Sequence, residues 1–270
     1  MNIKKLLLIF AFIFHWAVYS QTSNEYSEQG KAQAKLKDYT AALNSFNMAI
    51  AKDSSNANAY NNRGNIKEIQ NDNQGAIADF SKAISIDSLN AYAYYNRARI
   101  EFNTDQYKKA LRDNSMALKL NHNDYEAYNN RASVKLRLED QLGAIQDCNE
   151  SIKIQPNHAA AYSIRGNAKN KMGDSLGAME DFSTAIQIDP TYYFTFLHRA
   201  ELRTKLGNFE GAIADYDAAL AINEKLNRAY FQRGSTKIKA GQKESACTDF
   251  VIARDLGYEP AIGSIKKYCR

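Results

Sequence analysis

The chain has 270 residues, and 35 Lys and Arg against 30 Asp and Glu give it a formal net charge of +5. A nucleic-acid-binding protein normally carries a stronger basic balance, so this charge argues against that class of protein. After the N-terminal segment, no stretch approaches the ~20 consecutive apolar residues that a membrane-spanning helix needs. We therefore expect neither a nucleic-acid partner nor a membrane span.

The N-terminal segment is typical of a secretory signal. Two lysines precede an apolar run over residues 6–14, and Val18 and Ser20 are small enough for cleavage after residue 20. The apolar run is too short to span a bilayer. We expect residues 1–20 to be a cleaved signal peptide and the mature chain to be exported, as a periplasmic or secreted protein.

The rest of the chain repeats itself every 34 residues. Aromatic residues recur seven times at this spacing, as Tyr26, Tyr60, Tyr94, Tyr128, Tyr162, Phe196 and Tyr230. An alanine recurs without exception, as Ala42, Ala76, Ala110, Ala144, Ala178, Ala212 and Ala246. A fixed period in the range of roughly 20 to 50 residues indicates a stacked array of identical units. Such arrays form long surfaces more readily than closed catalytic pockets.

Each copy of the repeat predicts two helices. In the fifth copy, Ala178, Phe182 and Ala185 are spaced by three and four residues, which places them on one stripe of a helix. Tyr162 and Gly166 lie on one stripe of the preceding helix by the same arithmetic. Glycines between the two helices are helix-stop signals, as at Gly173, Gly207 and Gly241.

These columns resemble the tetratricopeptide repeat family, which has the same helix–turn–helix length and the same order of aromatic, small and alanine positions. The resemblance implies an all-α fold, a right-handed superhelical solenoid. It implies seven repeats within residues 21–260, beginning near residues 23, 57, 91, 125, 159, 193 and 227, and a capping helix over residues 261–270. The family usually has leucine where this chain has arginine, and an aromatic residue where it has Gln33, Lys67, Glu101, Lys135, Lys169, Arg203 and Lys237.

The unusual arginine has a counterpart in the second helix. Arginine recurs at Arg63, Arg97, Arg131, Arg165, Arg199 and Arg233, and aspartate recurs at Asp79, Asp113, Asp147, Asp181, Asp215 and Asp249. The first copy has Gln29 and Ser45 instead, so both members disappear together. We hypothesise a ladder of partly buried ion pairs between neighbouring helices; the alternative is a solvated surface charge at each position.

The opposite side of the first helix is rich in asparagine, which is a poor helix former. In the family this side lines a concave groove, so we interpret it as a peptide-binding surface. An amide both donates and accepts hydrogen bonds, so stacked asparagines at Asn62, Asn96 and Asn130 could hold an extended backbone without reading its sequence. The candidate groove residues are Asn58, Asn61, Asn62, Asn65, Tyr92, Tyr95, Asn96, Arg99, Asn129, Asn130, Arg137, Asn167, Lys171 and Lys205. The alternative is a polar concave surface without a ligand.

Three cysteines remain in the mature chain. Cys148 occupies an aromatic column and is interpreted as a small buried hydrophobe. Cys269 lies on a short tail helix that Pro260 starts, with Ile262, Ile265 and Tyr268 expected on its packing face. A Cys247–Cys269 disulfide would fix that helix on the last repeat, and two free thiols are the alternative.

No catalytic constellation, metal-ligand spacing or phosphate-binding loop is evident, and we expect no metal, no cofactor and no enzymatic activity. The pattern predicts a non-catalytic scaffold that binds an extended peptide or a protein partner in its groove. The alternative is a structural component or assembly factor of an envelope complex, acting through self-association or its convex face. The oligomeric state stays open.

Overall fold

The computed structural model describes residues 21–269, and α-helix is the only regular secondary structure in that range. The signal peptide expected over residues 1–20 lies outside the described residues. None of the described helices is long and apolar enough to cross a membrane. The chain divides into two compact units between His122 and Asn123, and each is described by itself below.

The first unit is built of antiparallel helical hairpins, each packed on the next. Its hairpins pair α1 (Ser23–Lys35) with α2 (Tyr39–Lys52), α3 (Ala57–Ile69) with α4 (Asn73–Ile86), and α5 (Ala91–Asn103) with α6 (Tyr107–Leu120). The first helices of successive hairpins also contact each other, α1 with α3 and α3 with α5.

The second unit repeats this arrangement and ends with a short extra helix. Its hairpins pair α7 (Tyr125–Arg137) with α8 (Gln141–Ile154), α9 (Ala159–Lys171) with α10 (Ser175–Ile188), α11 (Tyr193–Lys205) with α12 (Phe209–Ile222), and α13 (Asn227–Lys239) with α14 (Lys243–Asp255). The last helix, α15 (Pro260–Tyr268), packs on α14. The expected all-α fold of paired helices is confirmed.

The turn within each hairpin has a fixed chemistry. One residue takes a left-handed conformation, for example Asn71 with φ 63° and Gly173 with φ 88°, and this ends the first helix. In five of the seven described hairpins the next residue caps the second helix, as where the side chain of Asp72 accepts a hydrogen bond from the backbone N–H of Gly75 at 2.9 Å. Gln106 and Gln242 stand at this position in the other two and make no such bond. The glycines identified as helix stops in the sequence occupy this left-handed position.

Between the two helices, small residues face aromatic rings. Ala42, Ala76 and the other alanines of that column are fully buried. A Cβ atom added to Gly64 would lie 2.7 Å from Cε1 of Phe80, so the ring requires a glycine opposite it. The same contact pairs Gly30 with Phe46, Gly166 with Phe182, and Gly234 with Phe250. This close approach holds the two helices of these four hairpins in contact.

An ion pair joins the two helices of six hairpins. In α3 and α4, Nε and Nη2 of Arg63 donate to the two carboxylate oxygens of Asp79 at 2.8 and 2.7 Å. The aspartate is nearly fully buried, and the guanidinium also lies over the ring of Tyr60, 5.3 Å from its centroid. The hydrogen bond to Asp79 is the largest of the effects that raise the pKa of Arg63. Pairs of the same kind join Arg97 to Asp113, Arg131 to Asp147, Arg165 to Asp181, Arg199 to Asp215, and Arg233 to Asp249.

A second cation contacts the same aspartate in five of these hairpins. Nζ of Lys67 lies 2.8 Å from Oδ2 of Asp79. Equivalent contacts are made by Lys135, Lys169, Arg203 and Lys237. The sequence analysis singled out this column as a departure from the family but did not assign it a partner. The structure therefore extends the hypothesised pair to a three-residue cluster.

Two hairpins depart from this cluster. In the first, the hydroxyl of Ser45 donates to Oε1 of Gln33 at 2.7 Å, so a neutral hydrogen bond replaces the ions. In the third, Glu101 occupies the lysine position, is 3% exposed, and has a buried Oε2 without a hydrogen-bond partner. Burial, and then the charge of Asp113, raise the pKa of Glu101 from 4.5 to about 7, against opposing effects of Arg97, Arg112 and Lys109.

The terminal helix α15 is joined to α14 by a disulfide between Cys247 and Cys269, whose Cα atoms are 5.6 Å apart. The rings of Phe250 and Tyr268 stack with centroids 6.3 Å apart. The expected packing face was wrong in one residue: Ile262 is 43% exposed, and Ala261 is buried in its place. Ala261, Ile265 and Tyr268 are spaced by four and three residues, so they share one side of this short helix.

We predict that Asp147→Asn lowers the melting temperature clearly. The change leaves the guanidinium of Arg131 and the ammonium of Lys135 without their shared counter-charge, at a cost of roughly 3 kcal/mol in the free energy of unfolding. The matched control is Asp217→Asn, because this carboxylate also contacts an arginine, Arg233, but is 56% exposed. The control should cost less than about 1 kcal/mol. Equal melting temperatures for Asp147→Asn and the wild-type protein would contradict the role of the cluster.

We predict that Glu101→Lys stabilises the protein at pH 8 and has less effect at pH 5. The folded chain keeps a proton on Glu101 that the unfolded chain releases above 4.5. The free energy of unfolding therefore falls as pH rises from about 4.5 to about 7, by roughly 3 kcal/mol from this group. Glu101→Gln should remove this pH dependence without adding an ion pair. Thermal melts across this pH range test it; parallel profiles for wild type and both variants would refute the assignment.

We predict that Cys269→Ser loosens α15 and the end of α14. Losing the covalent link costs about 3 kcal/mol in the chain-entropy account of loop closure. Hydrogen exchange should report faster exchange there than in α7 to α10. A reductant should reproduce the effect in the wild-type protein and do nothing further to the variant. Unchanged protection of α14 in both experiments would show that the packing of Tyr268 alone holds the helix.

Candidate functional site

The candidate site of the first unit lies on the side of α3 and α5 that faces away from the ion pairs. We call this surface, formed by Asn58, Asn61, Asn62, Asn65, Tyr92, Tyr95, Asn96 and Arg99, the asparagine face. Asn58 and Tyr92 are exposed, and Asn62 and Asn65 are half-buried. At ~100° per residue, these asparagines lie opposite Arg63 and Tyr60 on their helix. The hairpin contacts use one side of the helix and leave this side open.

Two contacts cross from α3 to α5 on the asparagine face. The amide nitrogen of Asn96 donates to Oδ1 of Asn61 at 3.3 Å, and Asn96 is only 8% exposed. Nη2 of Arg99 donates to a carboxylate oxygen of Glu68. Within this unit, Asn96 is therefore hydrogen-bonded to the residue that precedes Asn62 rather than to Asn62 itself. The contact with Glu68 was missed by the sequence analysis, although its place one helical turn after Asn65 was visible.

One amide on the asparagine face lacks a donor. Oδ1 of Asn65 is buried and accepts no hydrogen bond from the described residues. A buried carbonyl oxygen without a partner costs roughly 1–3 kcal/mol, so it is a site where an incoming N–H group would be stabilising. At the start of α5, Tyr92 is 68% exposed and presents an aromatic surface to solvent. The asparagine face thus offers one unsatisfied acceptor and one free ring.

The remaining candidate residues lie in the second unit. Asn129 is 5% exposed, and neither its amide nitrogen nor its amide oxygen has a hydrogen-bond partner among the described residues. Asn130 and Asn167 are half-buried. Arg137, Lys171 and Lys205 are exposed and end α7, α9 and α11, where a cation is also stabilised by the helix dipole.

Among the described residues, the free cysteine and two histidines have pKa values that are shifted by burial. Burial raises the pKa of the Cys148 thiol to about 12, so it is protonated at neutral pH. Burial lowers the pKa of His158 and of His198, and their rings pack against Tyr125 and Phe182. Within residues 21–269, no three His, Cys, Asp or Glu side chains are placed to hold a metal ion. These groups serve packing.

Comparisons with solved structures show where else this fold occurs. A tetratricopeptide repeat protein from Parabacteroides merdae ATCC 43184 is 24% identical, with 91% of this chain and 96% of that chain covered and a TM-score of 0.73. YrrB, described as a tetratricopeptide repeat protein with an unusual peptide-binding site, is 23% identical over 68% of this chain and 95% of its own, with a TM-score of 0.54. Yeast Tom70 is 19% identical over 91% of this chain and 53% of its own, with a TM-score of 0.62. At these identities the likeness shows the fold alone.

Family models match most of the chain. The ETO1 C-terminal domain matches residues 19–173, which is more than half of the sequence, and the tetratricopeptide repeat matches residues 159–192 and 195–226. No curated protein matches the chain. With its helical hairpins, its 34-residue period and these matches, the chain belongs to the tetratricopeptide repeat family, and residues 19–173 belong to the family of the ETO1 C-terminal domain.

Proposed function

We propose that this protein is a non-catalytic interaction scaffold that binds an extended peptide of a protein partner on the asparagine face. The fold, shared with a tetratricopeptide repeat protein described as having a peptide-binding site, supports a general role as an interaction scaffold. The observation that carries the more specific proposal is the buried, unpartnered Oδ1 of Asn65 on α3, on the same face as the exposed ring of Tyr92 at the start of α5. The oxygen would accept an N–H group of the peptide backbone, and the ring would pack on a side chain.

The spacing of the helices suits an extended backbone. Packed helices have axes about 8–10 Å apart, and an extended chain rises about 3.3 Å per residue. About three peptide residues therefore cross from α3 to α5. Asn58 and Asn62 can each donate and accept along this path, because neither side chain makes a hydrogen bond among the described contacts. Backbone recognition of this kind tolerates many peptide sequences.

Charge contributes little to selectivity on this face. Its one cation, Arg99, is already paired with Glu68. A ligand carboxylate that needed Nη2 of Arg99 would have to displace Glu68 first, and the Nε of Arg99, which has no partner among the described contacts, is buried. We therefore expect the asparagine face to favour peptides for their extended backbone and an apolar side chain, and not for their net charge.

The proposed setting is outside the cytoplasm. The pattern of residues 1–20 supports export, and the bonded pair Cys247 and Cys269 fits an oxidising compartment. The partner would then be another exported protein or an exposed segment of an envelope protein.

A second candidate function, assembly within an envelope complex, is favoured by an apolar row in the second unit. Leu142, Met172, Leu176 and Leu206 lie at hairpin turns and are 62%, 51%, 83% and 59% exposed. Large apolar side chains that are exposed to water are unfavourable, and a cluster of them marks a contact surface. Light scattering separates the two functions, because a stable oligomer that loses its mass in Leu176→Lys favours assembly.

We predict that the double variant Asn65→Ala, Tyr92→Ala loses at least about tenfold in affinity for extended peptides selected on the wild-type protein from a displayed random library. Losing a hydrogen bond and a ring contact together costs about 1.4 kcal/mol or more. Methylating single backbone nitrogens of the selected peptide should weaken binding more than replacing most of its side chains with alanine.

The control is Asn73→Ala, which removes an exposed asparagine at the start of α4, away from the asparagine face. This variant should bind like wild type. Failure to select any peptide, or equal binding by the double variant with an unchanged melting temperature, would refute peptide binding at this face.

A further inference from the structure

A cavity of about 350 Å³ lies between α11 and α13 in the second unit. Its floor is formed by the buried Tyr216 and Thr236, and the half-buried ring of Phe231 lines its wall. Two hydrogen-bonding contacts bridge the helices: Gln232 Nε2 donates to Glu201 Oε1 at 2.7 Å, and the hydroxyls of Thr204 and Thr236 meet at 3.1 Å. These bridges hold the floor in place without a ligand.

The rim of the cavity carries three exposed cations, Lys205, Arg228 and Lys239. None of their charged groups forms an ion pair with another side chain of residues 21–269. The nearby hydroxyls have partners: Ser235 donates to the carbonyl oxygen of Phe231. Thr204 and Thr236 lie within hydrogen-bonding distance of each other and of the carbonyl oxygens of Ala200 and Gln232, so their two hydrogens are shared among these acceptors. The donors left for a ligand at the rim are therefore the three cations.

The cations stand at the two ends of the cavity. Arg228 and Lys239 are separated by 11 positions on α13, which is about 16 Å along the helix axis. Lys205 occupies the same repeat position on α11 as Lys239 does on α13, so these two lysines lie at one end. Between the ends lies Glu201, whose carboxylate would repel an anion at the centre. The charges therefore form a pattern with positive ends and an acidic middle.

We propose that this cavity is a second peptide site, specific for an extended acidic segment with carboxylates at both ends and an apolar side chain between them. An extended chain rises about 3.3 Å per residue and alternate side chains share a face, so carboxylates about four or six residues apart face the same side and bracket the distance from Arg228 to the two lysines. The apolar side chain lies on Phe231, where Glu201 disfavours a third carboxylate. Each ionic contact at an exposed rim contributes little binding free energy. The affinity therefore depends on both carboxylates contacting their cations at the same time.

The inference rests on the proposed function only in that the ligand is a peptide. Its residues belong to a different unit from the asparagine face, and its recognition uses charge where that face uses amides. Loss of binding at one site therefore does not imply loss at the other. Variants of Asn65 and Tyr92 leave this cavity intact, and variants of Arg228 leave the asparagine face intact.

The test is fluorescence anisotropy with a labelled acidic peptide that has a glutamate near each end, leucine in the middle, and an amidated C-terminus so that only side-chain carboxylates are read. We expect binding that weakens with added salt. Arg228→Glu should reduce the affinity at least about tenfold, because it replaces an attraction by a repulsion. It should also restore binding to a peptide in which the glutamate facing position 228 is replaced by lysine.

The matched control is Lys266→Glu, which makes the same change in net charge on α15, where Lys266 is exposed and does not line the cavity. It should bind the acidic peptide like wild type. Equal weakening by Lys266→Glu and Arg228→Glu would show general charge attraction and overturn the site. So would equal binding of a peptide with glutamine in place of both glutamates, no detectable binding, or stronger competition by inorganic polyphosphate than by unlabelled peptide at equal charge.

Discussion

The ion pair between an arginine of the first helix and an aspartate of the second, bidentate in five hairpins, is the interaction on which six of the seven described hairpins depend. The planar guanidinium meets both carboxylate oxygens at once, so the contact forms at one register of the two helices and is lost at any other. Asp147 and its equivalents are nearly fully buried, and a shift of one helix would leave that charge without a partner. A buried ion pair adds little net free energy compared with apolar packing. We therefore interpret the pair as the element that sets helix register, while the alanine columns and the glycine–phenylalanine contacts supply the packing energy.

This constraint also explains why one side of the first helix is free to vary. Tyr60, Arg63 and Lys67 share the side that faces the second helix, and the second cation on Asp79 strengthens the division. Residues on the other side make no contribution to the ion pair, so an exposed residue there can change without breaking the contact between the two helices of its hairpin. The two departures fit the same account. Where Ser45 replaces the aspartate, Gln33 replaces the lysine and a neutral hydrogen bond holds the same place. Where Glu101 replaces the lysine, burial raises its pKa to about 7 and the hairpin becomes sensitive to pH.

The repeat period predicted the helices well because every copy carries the same signals at the same positions. The pairing of arginine with aspartate was also visible, since both residues are missing from the first copy. The contact of Lys67 and its equivalents with the aspartate was not visible in the sequence, because it depends on how near the start of α4 comes to α3. The contact of Asn96 with Asn61 was missed for a similar reason: equal repeat positions predict stacking, whereas the offset between neighbouring helices brings unequal positions together. Ile262 was misplaced because a single short helix carries too few residues for its period to define a face.

The candidate sites differ in chemistry although they use equivalent repeat positions. Asn61, Asn62 and Asn65 in α3 correspond to Phe231, Gln232 and Ser235 in α13. The first set presents amides, and the second presents a ring, an amide already bonded to Glu201, and a hydroxyl already bonded to the backbone. Both sets stand on helices whose opposite sides carry the same Tyr, Arg, Gly and Lys pattern. Under the proposed function, the stability of the hairpin depends on one side of the first helix and ligand recognition depends on the other. If the proposed function holds, a substitution on this side changes what is bound without disturbing the ion pair behind it.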